Sequence, residues 1–396
     1  LKHRRRLPSR RAAPAMAGKR LEVVVLGCGT PKFSMGWTHV FQLLEEPLRS
    51  LAGVVGIVEP FFLSEEGRTA KGAELFRAWA AEHPSIPCVD ACAKLPPIVA
   101  GRLRVGVVAV RTADAARVAT EAMVEAGCRG LYVEKPGAAS VAELEELQRL
   151  AEARGVTVAV GYSRNLGYPR RGLAFAEKQR EEAGRRPRIT LVHSNPWSES
   201  ELATCFERCR PGMLYDMACH DLAVAVSYLG LTADYAELVV DGTRSLQASH
   251  GGIEDFVRLA FTVTPKGGAD PIDFRIDRCA GAFNGMEVEV LELPSTADGD
   301  PAAKRCKAEP RRFMSGDKPL LFENPLEDLS PHLAVQYDYY VEAKRTFLEA
   351  LDAAAIDDAS GEVGLPAGVP TLAVAREVLL LADRLTLELK AQVPRA

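Results

Sequence analysis

The chain has 396 residues, of which 47% are hydrophobic and 26% are charged, as is typical of a soluble globular protein. This composition excludes a fully disordered, collagen-like or low-complexity chain, and no run of 18 apolar residues predicts a transmembrane helix. The formal net charge of −4 gives no basic footprint for nucleic acid. We therefore predict neither a nucleic-acid partner nor a membrane partner.

The first residues differ in charge from the rest of the chain. Residues 1–15 carry six Lys and Arg residues and no acidic residue, which leaves a net charge of −10 on residues 16–396. We interpret residues 1–18 as a basic leader, either a flexible segment ahead of a start at Met16 or an Arg-rich transit peptide. The first alternative predicts a cytoplasmic protein and the second an organellar one.

Cysteine usage favours a reducing compartment. Nine cysteines are spread over the chain, an odd number that argues against a disulfide framework. Two pairs have Cys-x3-Cys spacing, Cys88/Cys92 and Cys205/Cys209, but no pair of histidines at metal-ligand spacing follows either one. We predict reduced thiols and no metal site.

Short apolar strands alternate with helices between residues 21 and 161. The predicted strands are 21–26, 54–58, 87–89, 105–110, 131–133 and 156–160, and the predicted helices are 36–46, 65–82, 113–126 and 140–155. Ser140 and Glu143 form a capping-box pattern at the start of the last helix. This alternation predicts an α/β fold in which residues 19–161 form a doubly wound parallel sheet.

After residue 161 the predicted strands are longer and helices are fewer. Strands are predicted at 188–194, 236–241, 256–264, 272–277 and 286–292, with a helical run at 213–229, a loop at 294–318 and two closing helices at 333–353 and 371–390. The pattern predicts that residues 162–396 form an α+β domain with a large mixed, mostly antiparallel sheet. We expect the open side of that sheet to be apolar and to provide the interface of a homo-oligomer.

A glycine-containing loop follows the first strand. Gly27 and Gly29 begin a dinucleotide-binding fingerprint, in which glycines allow backbone N–H groups to approach a pyrophosphate. The loop then departs from the usual spacing, because position 32 is Lys and the next glycine is Gly36. Lys32 or Ser34 is placed to reach phosphate oxygens.

Glu59 ends the second strand, where a carboxylate accepts hydrogen bonds from ribose hydroxyls. It lies 32 residues after Gly27, whereas the usual distance is nearer 20, and the longer first loop accounts for the difference. The negative charge repels a 2′-phosphate. We predict NAD as the cofactor, with NADP as the alternative.

Two further motifs carry a family resemblance. Glu134-Lys135-Pro136 follows the fifth strand, and Gly212-Met-Leu-Tyr-Asp216-Met-Ala-Cys-His220-Asp221 opens the helical run of the second domain. Together with the glycines, these motifs resemble the glucose–fructose oxidoreductase, inositol dehydrogenase and MocA family (Gfo/Idh/MocA), as a distant branch. The resemblance implies a Rossmann domain followed by a substrate-binding and oligomerisation domain.

The resemblance also implies roles for individual residues. His220 is expected to accept the hydroxyl proton, Asp216 to orient the substrate or His220, and Lys135 to polarise the reacting oxygen and contact the cofactor. The implied cofactor contacts are Gly27, Gly29, Thr30, Glu59, Val110, Arg111, Glu134, Lys135 and Pro136. The implied substrate contacts are Arg164, Asp221 and Trp197. Val110-Arg111 departs from the family pattern, which often has Pro and His there.

Three functions are compatible with this resemblance. The first is an NAD(P)-dependent oxidoreductase that transfers a hydride between a nicotinamide cofactor and a hydroxyl carbon of a sugar, polyol or related small molecule. The second is a glycoside hydrolase that uses NAD for transient oxidation. The third is a non-enzymatic nucleotide-sensing regulator, which would be indicated by loss of the Lys or His, and both are present.

Overall fold

The computed structural model describes residues 19–31, 33–184, 186–281, 285–291, 309–314, 331–356 and 363–396. The predicted basic leader, Lys32 and most of the predicted loop 294–318 lie outside the described residues. The domain boundaries predicted from the sequence remain a prediction.

A parallel sheet of six strands occupies the first part of the described chain. Its strands follow the order β3-β2-β1-β4-β5-β6, and every neighbouring pair is parallel. The strands are β1 Leu21–Leu26, β2 Ala52–Val58, β3 Cys88–Val89, β4 Leu103–Val108, β5 Gly130–Val133 and β6 Thr157–Val160. This order is that of a doubly wound Rossmann sheet and confirms the predicted α/β fold class.

Strand β1 shows why the sheet is buried on both sides. All six of its residues are buried, and alternate side chains enter two different hydrophobic clusters, Val24 and Leu26 in one and Val23 and Val25 in the other. Helices cover both faces. They are α1 Met35–Leu44, α2 Leu48–Leu51, α3 Pro60–Leu63, α4 Ala73–Glu82, α5 Thr112–Val124 and α6 Val141–Arg154.

The helix predicted at 65–82 is shorter in the structure. Only Ala73–Glu82 is α-helical, and Gly67–Thr69 is an isolated 3₁₀ turn. Gly72 precedes the helix with φ +93°, a left-handed conformation that a regular helix does not continue through.

A mixed sheet of seven strands follows in the described residues. Its order is β13-β12-β7-β11-β10-β8, with β9 paired to β10, and only β7 and β11 are parallel. The strands are β7 Ile189–Ser194, β8 Glu237–Val240, β9 Leu246–His250, β10 Ile253–Thr264, β11 Ile272–Asp277, β12 Gly285–Val290 and β13 Arg311–Met314. The predicted mixed, mostly antiparallel sheet is confirmed, but β9 and β13 were not predicted.

One long helix of this half was not predicted. Helix α7 spans Tyr168–Ala183 and packs against β12 and β13, while α8 spans Leu202–Arg208. The predicted run at 213–229 is two helices, α9 Met213–Asp216 and α10 Cys219–Leu229.

The last two helices pack against elements of both halves of the described chain. Helix α11, Pro331–Ile356, contacts α2 and β5, and helix α12, Leu372–Gln392, contacts both α6 and α10. Just before α12, the N–H of Val160 in β6 donates to the Pro370 carbonyl at 2.8 Å. Helix α11 also contacts the turn Ser163–Asn165, and α12 also contacts β6. Both helices therefore lie against the parallel sheet as well as against elements of the second half.

The exposed side of the mixed sheet is more polar than expected. On β7 and β11 the buried residues alternate with partly exposed ones. The partly exposed set is Thr190, Val192, Ser194, Asp273, Arg275 and Asp277. The apolar face used to predict a homo-oligomer is therefore absent from these two described strands. In the part of the chain that is described, no helix is both long and apolar enough to cross a membrane.

Candidate functional site

The glycine loop after β1 has a shape that only glycine permits. Gly27 has φ +83° and Gly29 has φ +64°. A Cβ on Gly27 would lie 2.5 Å from Val110 Cγ1, and a Cβ on Gly29 would lie 2.5 Å from Ser34 Oγ. The predicted cofactor residue Val110 therefore does lie against the loop.

Gly36 serves as the third glycine of this loop despite its late position. A Cβ there would lie 1.9 Å from the Gly27 carbonyl oxygen, so α1 can approach the loop this closely only with glycine. Thr30 and Ser34, on either side of the inserted residues, are hydrogen-bonded to each other. The Thr30 N–H donates to Ser34 Oγ at 2.8 Å, and the Ser34 N–H donates to the Thr30 carbonyl at 3.0 Å.

Glu59 lies beside the glycine loop at the end of β2. Its carboxylate accepts a hydrogen bond from the Gly29 N–H at 2.8 Å, and only 5% of the residue is exposed. Burial and then the Glu59 charge raise the pKa of Cys28, so its thiol stays protonated beside the carboxylate. Glycines that allow close backbone approach, next to a carboxylate at the strand end, fit a nicotinamide dinucleotide.

Arg111 is less closely associated with this loop. Its side chain is 90% exposed and pairs with Asp114 at 3.3 Å. Its role as a cofactor contact remains a prediction.

Lys135 and Asp216 come together from the two halves of the chain. Lys135 Nζ donates to the Asp216 carbonyl at 3.1 Å and lies 3.3 Å from Asp216 Oδ1. The side chains are 22% and 45% exposed, so the pair faces an opening rather than the core. Lys135 follows β5, and its peptide bond to Pro136 is cis.

The pKa shifts of Lys135 and Asp216 both favour the charged form of the residue. Burial lowers the pKa of Lys135, but Cys219 and Asp216 raise it, and the net pKa is above the usual value. Burial raises the pKa of Asp216, but Lys135 lowers it, and the net pKa is below the usual value. Lys135 is therefore a cation, not a base, throughout the neutral range.

His220 has the opposite character. It is 5% exposed on α10, and burial, followed by the nearby charges of Arg164 and Lys135, lowers its pKa well below the usual value. Its ring meets Tyr162 edge-on, with centroids 5.9 Å apart. In the described part of the chain, His220 Nδ1 and Tyr162 Oη are buried and have no hydrogen-bond partner.

The interruption between α9 and α10 separates Asp216 from His220. Met217 and Ala218 lie between the two helices. Asp216 and His220 are therefore on separate helices, whereas we predicted one continuous helical run. Asp216 is exposed to the opening and His220 is buried behind it. The start of α9 is fixed by Asp255, which accepts from the Met213 N–H at 3.3 Å and pairs with Arg278 at 2.6 Å.

The predicted substrate contacts Arg164 and Asp221 are joined through a residue that the sequence did not single out. His193 on β7 accepts from Arg164 Nη1 at 2.9 Å and donates from Nδ1 to Asp221 Oδ2 at 2.7 Å. All three are at most 3% exposed. The alternation of apolar and polar residues along β7 places His193 on the buried side of the strand. This alternation was the sequence signal that could have identified His193.

Trp197 lies in a different environment. It packs against the cluster of Leu202 and Phe206, and the Arg208 guanidinium lies 6.0 Å from its ring centroid. Its role as a substrate contact remains a prediction.

Glu134 is held by a second histidine that the sequence did not single out. His39 on α1 is fully buried, and its Nε2 lies 2.9 Å from Glu134 Oε1. The two residues are 95 positions apart, so no local pattern links them. No group of three potential metal ligands is found among the described residues.

Comparisons with known proteins agree with this geometry. Residues 22–162 match the model of an oxidoreductase family with an NAD-binding Rossmann fold (GFO_IDH_MocA). A search of curated proteins finds no sequence that matches the chain.

Solved structures share the fold over nearly the whole chain. A probable dehydrogenase from Thermotoga maritima has 16% identity and a TM-score of 0.64, covering 91% of this chain and 94% of its own. The myo-inositol dehydrogenase of Lactobacillus casei, solved with NAD(H) and myo-inositol, has 15% identity and a TM-score of 0.61, covering 94% and 95%. The UDP-N-acetylglucosamine 3-dehydrogenase of Acidithiobacillus ferrooxidans has 15% identity and a TM-score of 0.57, covering 93% and 97%.

At these identities the structural similarity shows the fold alone. The family match is independent of it and spans almost all of the parallel sheet, from the second residue of β1 to just past the end of β6. Residues 22–162 of this chain therefore match the Gfo/Idh/MocA family of NAD-binding oxidoreductases.

Proposed function

We propose that the protein is an NAD-dependent dehydrogenase that oxidises a CH–OH group of a sugar, a polyol or a related small molecule. The observation that carries this proposal is the contrast between the Lys135–Asp216 ion pair and the buried, neutral His220 behind it. Pairs of titratable groups with opposite pKa shifts are typical of acid–base sites. The named substrates of the structural neighbours favour a hydroxylated substrate.

Each side chain has a distinct task in this proposal. Bound NAD supplies the hydride acceptor, held by the glycine loop and Glu59. His220 is neutral at physiological pH and accepts the hydroxyl proton. The Lys135 ammonium stabilises the negative charge that develops on the substrate oxygen.

The unpartnered polar atoms around His220 support a hydroxylated substrate. Buried polar groups normally have hydrogen-bond partners, yet His220 Nδ1, Tyr162 Oη and Asp221 Oδ1 have none among the described residues. A molecule with several hydroxyl groups supplies both donors and acceptors to such atoms.

The test separates chemistry from cofactor binding. We expect Lys135→Met and His220→Ala to retain NAD binding while turnover falls by about 10²-fold or more, as loss of acid–base assistance does. The assay is NADH formation with a panel of sugars, polyols and sugar acids, with NAD affinity measured separately by calorimetry.

The matched control is Lys94→Met. Lys94 is a 64% exposed lysine that pairs with Asp90 away from the site, and we expect its loss to leave turnover unchanged. Normal turnover in both site variants would disprove the assigned roles.

A homo-oligomer remains part of the proposal. The polar residues exposed on β7 and β11 predict that any interface on that side of the sheet is formed largely by hydrogen bonds and ion pairs.

A further inference from the structure

A buried lysine from the distal part of the chain lies behind the Glu134-Lys135 segment. Lys344 on α11 is 1% exposed, and its Nζ lies 2.9 Å from His39 Nδ1. The rings of Tyr132 and Tyr340 face the ammonium at 5.3 Å and 5.4 Å. Tyr340 and Lys344 are four residues apart, so α11 presents both to the same place.

The contact with Lys344 determines how His39 carries its proton. Burial lowers the pKa of Lys344 to about 7, and its Nζ has N–H donors in both protonation states. The Glu134 carboxylate on the other side of the ring only accepts, so the imidazole proton lies on Nε2 and His39 Nδ1 accepts from Lys344. From Nε2 it is donated to Glu134 Oε1 at 2.9 Å. Burial and then the charge of Lys344 lower the pKa of His39, which keeps the imidazole neutral.

Glu134 has little freedom at this position. Gly161 follows β6 directly and lies close to Glu134: a Cβ there would lie 3.0 Å from Glu134 Oε1 and 3.2 Å from its Cα, so a larger residue would displace Glu134. The Glu134 N–H also donates to the Val108 carbonyl at 2.9 Å. Lys135 is the next residue along the chain. Contacts that orient the Glu134 side chain therefore also constrain the backbone that carries Lys135.

We propose that Lys344 is a positioning residue for the cofactor side of the site, acting through His39 on Glu134 and the Lys135 segment. This inference rests on the proposed function. Fold stability alone does not explain the residue, because burying an ammonium costs free energy that an apolar side chain of the same length would not cost. What the ammonium adds is a single tautomer of His39 and a single orientation of Glu134.

The experiment compares Lys344→Met with wild type in NAD binding and thermal unfolding. We expect about tenfold weaker NAD binding, in the range of coupling seen between residues in one hydrogen-bond network. The unfolding midpoint should change little, because removal of the buried amine offsets the loss of its hydrogen bond to His39 Nδ1. Lys344→Gln keeps an N–H donor and should recover part of the NAD affinity. If Lys344 only filled space, the Met variant would instead retain more NAD affinity than the Gln variant.

A double-mutant cycle tests the route of the effect. Glu134→Gln should also weaken NAD binding, and adding Lys344→Met to it should cause little further loss. Additive losses would show that Lys344 does not act through Glu134. The control is Arg345→Met, which removes the neighbouring cation of α11 and its ion pair with Glu342 at 2.9 Å, and it should bind NAD like wild type.

The two proposals fail in different ways. If the wild-type protein does not bind NAD, the proposed function is wrong. If the wild type binds NAD and folded Lys344→Met and Lys344→Gln bind it equally well, only the role of Lys344 is overturned. Loss of NAD affinity together with a lower unfolding midpoint in both variants would also overturn it, in favour of a purely structural role.

Discussion

Lys135 and His220 both carry a basic nitrogen, yet their surroundings shift the two pKa values in opposite directions. Lys135 faces the Asp216 carboxylate and keeps its proton, whereas His220 is buried near the cations Arg164 and Lys135 and loses its proton. One group can therefore stabilise negative charge while the other accepts a proton at the same pH.

This assignment predicts the pH dependence of the reaction. His220 must be neutral to accept a proton, and its pKa lies well below 6.5, so kcat/KM for oxidation should fall only at pH values well below 6.5. Arg164→Met removes one cation that lowers this pKa, so the acidic limb should move upward toward 6.5. A wild-type limb at or above pH 6.5 would contradict the role of His220.

A suitable control for the pH profile is Arg149→Met. Arg149 is exposed on α6 and pairs with Glu146, far along the chain from His220. Its loss should leave the acidic limb in place.

The site residues that we predicted from the sequence are those that stand in local motifs. Lys135, Asp216 and His220 were identified because their neighbours form recognisable patterns. His39, His193 and Lys344 were not, because their contacts join residues 28 to 305 positions apart and depend on how distant elements pack. Of these three residues, only His193 could have been found from the sequence, because the alternating pattern of β7 places it on the buried side of the strand.

Among the secondary-structure elements, buried strands were the most predictable. All six strands of the parallel sheet were anticipated to within two residues at each end, because their apolar runs are short and bounded by loops. Helix α7 was missed because Pro169 and Gly172 look like helix breakers. In the structure Pro169 lies in the first turn, where proline is tolerated, and Gly172 lets the helix approach Val288 and Phe313.

The start of α6 allows a prediction about a single element. Ser140 Oγ accepts from the Glu143 N–H at 3.2 Å, as the capping box requires, while the Glu143 carboxylate accepts from the Ala139 N–H at 2.8 Å. Ser140→Ala should destabilise the protein by about 1 kcal/mol, because a first-turn donor loses its partner. Hydrogen exchange of the first-turn amides should accelerate.

Ser50→Ala is the matched control for this cap. Ser50 is an exposed serine whose hydroxyl bonds to a carbonyl three residues earlier and caps no free N–H group. We expect its effect to stay within about 0.5 kcal/mol. An equal effect of the two substitutions would rule out capping as the cause.

For the whole molecule, cofactor binding should appear as increased stability. A ligand that binds only the folded state at 100 times its Kd adds about 2.7 kcal/mol. We expect NAD to raise the unfolding midpoint more than NADP at equal concentration, because the Glu59 carboxylate repels a 2′-phosphate. Glu59→Gln should narrow this difference, whereas the exposed Glu66→Gln should not. Equal midpoint shifts in the wild type would contradict the assigned role of Glu59.

The contacts that α11 and α12 make with both halves of the chain have a consequence for protein synthesis. All described strands precede residue 315, whereas these two helices follow residue 330. While the chain is being translated, the surfaces of α6 and α10 that α12 covers remain open to solvent, and His39 has no lysine beside it. We therefore expect the two halves of the site to acquire their fixed orientation only after both sheets have left the ribosome.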